Sequence, residues 1–276
     1  MSHAMPRWFV AAKYVVYFLL TINAFLFLRE ESLALEHTFS TGMSLSDYIQ
    51  VFSATIDTTA WVILLLLFEL ETYQLPDEVI KGWVKRALHG IRAFCYLFIV
   101  YALYGYIVEL QSMFNITSLE VADACALIGG EWSYMLQLDE YAVLDASNCV
   151  AVGEQFWQYN GFNIIVDRDM LEMGRWLAWT DVINAAAWIL VVLVLEFDVR
   201  LQLKGAYSGR LLRINQLIKL VLYSTLLAAA IYWWIDGDFL DFWDAFLWLF
   251  AFVFIESNLF AWQAETQAAE EASANQ

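Results

Sequence analysis

Histidine, cysteine and proline are nearly missing from this 276-residue chain, which holds three, three and two of them. Each shortage excludes something. Of His3, His37 and His89, only the last lies near an apolar run, so a bis-histidine haem, a multi-histidine copper site or a di-iron centre has too few ligands. No Gly-x-Ser-x-Gly, phosphate-cradling glycine loop or dinucleotide fingerprint occurs. Neither an enzyme nor a cofactor or metal site is therefore expected. Charge is scarce as well, at 16% of residues, and positive charge is scarcer, with 14 Lys and Arg against 31 Asp and Glu. A net charge of −17 argues against a nucleic-acid partner.

What is abundant is apolar surface: 61% of residues are hydrophobic and 17% aromatic, against roughly 45–50% apolar in a soluble domain. Such a surplus faces lipid, because in water it would aggregate. Six apolar runs, at 8–28, 53–70, 91–108, 179–195, 214–235 and 239–262, match the length that crosses a hydrocarbon core of about 30 Å. Lys and Arg cluster before the first run, between the second and third, and between the fourth and fifth. By the positive-inside rule both termini are cytoplasmic and 109–172 is extracytoplasmic, in a plasma or inner membrane.

The spacing of polar residues repeats three times. The second run reads Asp57, Trp61, Glu69; the fourth Asn184, Trp188, Glu196; the sixth Asp244, Trp248, Glu256. Two residues past each glutamate stands Glu71, Asp198 or Asn258. The odd-numbered runs follow a second template: Arg7, Lys13, Tyr17; then Arg86, Arg92, Tyr96; then Arg213, Lys219, Tyr223. Repetition of this kind marks duplicated units. The fold expected is an all-α integral membrane protein of six transmembrane helices. They would form three repeated hairpins about a pseudo-threefold axis, with a small disulfide-stapled outer domain. Its parts are 1–72 (first hairpin), 73–108 (third span), 109–172 (outer insert), 173–198 (fourth span), 199–263 (third hairpin) and 264–276 (a disordered tail). Three hairpins of two spans resemble the mitochondrial carrier family in architecture. That family's repeated motif needs prolines in the odd-numbered spans, and Pro6 and Pro76 both lie outside spans, so the likeness stops there.

Depth explains the templates. Lys13, Arg92 and Lys219 lie about 9 Å further into their helices than Arg7, Arg86 and Arg213, which snorkel to the headgroups. Glu69, Glu196 and Glu256 reach the same depth from the opposing helices. An unpaired charge there costs about 3 kcal/mol, so three cation–glutamate pairs are expected, supported by the hydroxyls of Tyr17, Tyr96 and Tyr223. Asp57, Asn184 and Asp244 form a second polar layer further out. Cys125 and Cys149 share the outer segment, where an oxidising compartment bonds them; Cys95 lies within the third run. Two functions fit: a channel or carrier moving an ion or small solute along the axis, or a non-catalytic subunit of a larger membrane complex. The partner expected is the lipid bilayer, with other membrane subunits or further copies of the chain left open.

Overall fold

Long apolar runs without proline favour uninterrupted helix, and helix dominates the fold. The computed structural model describes residues 7–38, 51–71, 81–121, 123–149, 155–203 and 209–255, together with Leu75 and Val79. Helices α1 (Arg7–Thr38), α2 (Ser53–Glu69), α3 (Gly82–Ser112), α4 (Arg168–Leu203) and α5 (Gly209–Asp236) are followed by α6, described over 239–255. Four of them, α1, α3, α4 and α5, are long and apolar enough to cross a membrane. Glu256, Asn258 and the tail 264–276 lie outside the described residues, as does most of the connection between α1 and α2.

The expectation of an all-α chain fails between α3 and α4. There β1 (Ile116–Ser118), β2 (Ser133–Gln137), β3 (Glu140–Val143), β4 (Phe156–Tyr159) and β5 (Ile164–Asp167) form one sheet in the order β1-β4-β5-β2-β3. The β2–β5 pairing is parallel and the others are antiparallel. The local chemistry favours strand: Phe156-Trp157 and Ile164-Ile165-Val166 are aromatic or β-branched. Tight turns bound them, including Gly161 at φ +97°.

Alternation along the strands gives the sheet two buried faces. Met135, Ile164 and Val166 pack with Met113, Leu171 and Leu177 of the helical part. Tyr134 and Ile165 point the other way, into a small cluster with Phe156, Leu144 and Cys149. The Cys125–Cys149 disulfide staples that second face. The cap rests on extensions of the helices beyond their apolar runs: β3 packs on α1, while β2 and β5 pack on α4. His37 near the end of α1 hydrogen-bonds Ser133 at 2.8 Å. Gly174 allows the close approach of α4, since a Cβ there would meet Met135 Cε at 2.7 Å.

The disulfide closes a loop of sequence separation 24, worth about 3 kcal/mol in chain entropy. Limited proteolysis of Cys149→Ser protein should therefore cut within 113–167 while leaving the helical part intact. Resistance equal to the disulfide-bonded protein would contradict this.

Below the cap the helices share one core. Tyr17 and Leu20 of α1, Leu65 of α2, Ile99 of α3, Val191 of α4, Leu226 of α5 and Ala251 of α6 all belong to it. Large apolar side chains such as Phe18, Phe94, Leu193 and Leu220 point outward, the arrangement of a lipid-facing bundle.

Candidate functional site

At the centre of that core the template tryptophans meet. The rings of Trp61 and Trp248 lie 6.3 Å apart and those of Trp188 and Trp248 lie 6.4 Å apart. All three are buried. Asp57 and Asp244 stand one helical turn before Trp61 and Trp248. The four-residue spacing puts carboxyl and indole on one face of the helix.

Above the tryptophans lies a cavity of about 320 Å³. Its wall brings together Glu30 and Glu31 of α1, Asp57 of α2, Glu109 of α3 and Asp181 of α4. It also includes Asp139 and Glu140 of the β2–β3 turn, and Asp238, Asp241 and Asp244 around the start of α6. Among the described residues, ten carboxyl groups line this chamber and no Lys, Arg or His does. Known contacts to several of them come from neutral groups. Asn23, 1% exposed, donates to Asp244 at 2.8 Å. Glu31 caps the start of α2, accepting from Ala54 N at 2.8 Å, Thr55 N at 3.2 Å and the Thr55 hydroxyl. Asn184 Oδ1, also on the wall, is buried with no hydrogen-bond partner among the described residues.

The second polar layer expected from sequence, Asp57, Asn184 and Asp244, thus lies on one wall. Among the described residues no group of three or more His, Cys, Asp or Glu could hold a metal ion. Each of these carboxyls that ionises adds to a negative potential in the chamber.

Asp139 forms the roof. The tight β2–β3 turn holds it at φ 57°, a left-handed conformation that aspartate tolerates. Burial raises its carboxyl from the usual 3.8 to about 6, with the Glu109 carboxyl as hydrogen-bond partner. The folded value exceeds the unfolded one, so this stabilisation is complete below about pH 4 and is lost as pH rises through about 6. Asp139→Asn should therefore be more stable than wild type at pH 7.5, by on the order of 2 kcal/mol, and no more stable at pH 4. Equal melting temperatures for the two proteins at pH 7.5 would contradict this.

Below the tryptophans a second cavity, of about 420 Å³, is lined by Trp61, Trp248, Arg92, Tyr96 and Glu196 among apolar side chains. Arg92 and Glu196 bring the charge layer to its lining. Lys13 Nζ meets Glu69 Oε1 at 2.6 Å with both side chains buried. Tyr14 donates its hydroxyl to the same oxygen at 2.8 Å, whereas Tyr17 packs in the core beside the Tyr14 ring. The other two cations reach the acids that stand two residues past the template glutamates. Arg92 pairs with Glu71 at 2.6 Å and Lys219 with Asp198 at 2.7 Å. Asn215 also donates to Asp198.

The reason is angular. Two residues turn a helix by about 200°, so Glu69 faces α1 while Glu71 faces α3. On α4, Asp198 likewise faces α5, and Glu196 turns towards the inner cavity. Tyr96 lines that cavity, and Tyr223 packs against the shared core.

Sequence reasoning missed Asn23 and most of the chamber acids. One signal was present: Glu30, Glu109 and Asp236 each stand thirteen residues past a template tyrosine. No protein family, curated protein or solved structure matches this chain.

Proposed function

We propose that the chain is a small cation channel or carrier. It has six membrane spans in three repeated hairpins about a pseudo-threefold axis, both termini cytoplasmic and the sheet-bearing cap outside. The observation that carries this reading is a chamber lined, among the described residues, by ten carboxyl groups and no base, stacked above a tryptophan plug and a second cavity.

The repeat is supported by what equivalent positions do: three tryptophans meet, and Asp57, Asn184 and Asp244 share one wall. Seventeen described residues each of α2 and α6, at about 1.5 Å per residue, come within a turn or so of a bilayer core. Lys and Arg around the inner connections support the orientation.

In this mechanism the chamber concentrates cations through its negative field. The side-chain oxygens of Asp57, Asn184 and Asp244 replace part of the hydration shell. Trp61, Trp188 and Trp248 block the axis at rest, and their displacement joins the two cavities. The inner cations do not repel the ion, because each is neutralised by an acid within 2.7 Å.

Proteoliposomes holding the purified protein should load potassium or protons faster than empty liposomes. No flux of either, with stable partner chains co-purifying, would instead favour an accessory subunit.

A further inference from the structure

A groove of about 750 Å³ runs between the outer halves of α4 and α5, within the roughly 300–1,000 Å³ of small-molecule sites. Both helices are long and apolar enough to cross a membrane, so the groove opens to lipid. Its floor is made of small side chains, Thr225 and Ala228. Trp176 and Trp179, 66% and 45% exposed, flank it where tryptophans mark the headgroup level.

At the outer end of the groove stand two charges. Arg175 Nε donates to the Met113 carbonyl at 3.2 Å, and its guanidinium lies 4.6 Å over the Phe114 ring. These contacts hold the fork in place but use only one of its five donors. Its two terminal nitrogens have no hydrogen bond among the described residues. A planar fork with free donors at headgroup level suits a phosphate. Glu172, three residues earlier and so on the same helix face, also lines the groove. Among the described residues its one ion pair is with the exposed Arg168, at 3.2 Å. A group sitting outside the phosphate therefore meets a carboxylate.

We propose that this groove binds one aminophospholipid. Its phosphate rests on Arg175, its ammonium points to Glu172, and one acyl chain lies along Thr225 and Ala228. A headgroup without a cation, such as phosphoglycerol, would meet Glu172 with nothing to offset it.

The test is native mass spectrometry of the full chain, released from micelles containing equal phosphatidylethanolamine and phosphatidylglycerol. Wild type should retain one phosphatidylethanolamine, favoured about fivefold, and Arg175→Gln should lower the bound fraction of both lipids about tenfold. Glu172→Gln should equalise the two lipids. Ala228→Phe, at an exposed position, fills the groove without touching the charges and should remove the adduct. Unchanged occupancy in either Arg175→Gln or Ala228→Phe, or a preference for phosphatidylglycerol in wild type, overturns the proposal. If Arg175→Gln does not fold, Ala228→Phe decides alone.

Discussion

Glu69→Gln should destabilise the protein by about 3–5 kcal/mol, the largest effect expected from any single charge in the helical part. The carboxylate is buried, with its Oε1 2.6 Å from Lys13 Nζ, itself 2% exposed. Removing its charge takes the carboxylate away from an ammonium group that is itself buried. Lys13→Met should have a similar effect for the converse reason. The double variant should lose less than the sum of the two, since no charge is then left unpaired. Arg92 and Glu71 are partly exposed, at 30% and 22%, so breaking that pair should cost only about 1 kcal/mol. Melting temperatures over the cycle decide the matter: additive losses, or an Arg92→Met variant as damaged as Lys13→Met, would show that burial does not govern the layer.

Asp57→Asn combined with Asp244→Asn should reduce cation flux at least about tenfold while leaving the fold in place. Both residues line the chamber above the tryptophans, where a carboxylate meets an ion at short range. Asparagine keeps the shape and an acceptor oxygen, so Asn23 can still bond the residue at 244. The charge is lost, and with it the main attraction for a partly dehydrated cation. A structural role would appear in melting temperature. The proposal expects unchanged or improved stability with lost flux, because like charges facing one cavity repel. Full flux in the double variant would remove these two residues from the pathway.

The helices were legible in the sequence to within their apolar runs, and the disulfide followed from which cysteines share an outer segment. The sheet was not legible. Its strands are three to five residues long, too short for periodicity to register, and their pairing joins Ile116 to Tyr159 across more than forty residues. The polar ends of α1 and α4 read as loop because charge interrupts the apolar pattern, yet cap packing keeps them helical.

The candidate site divides in the same way. Asp57, Asn184 and Asp244, with their tryptophans, were visible because helical spacing is local. Asp139 carries no helical spacing of its own, and only the β2–β3 turn brings it to the chamber wall. Glu71 and Asp198 were noted beside the template glutamates. That they hold Arg92 and Lys219 depends on which neighbour each helix face meets, and a single sequence does not order helices around an axis.

The most direct test of a cation pathway is the membrane potential that forms in proteoliposomes loaded with concentrated potassium chloride and diluted into low salt, read with a potentiometric dye. Wild-type protein should drive the interior negative as potassium leaves ahead of chloride, and the Asp57→Asn, Asp244→Asn protein should not. An interior that turns positive, or one that stays at the potential of empty liposomes, would contradict the account.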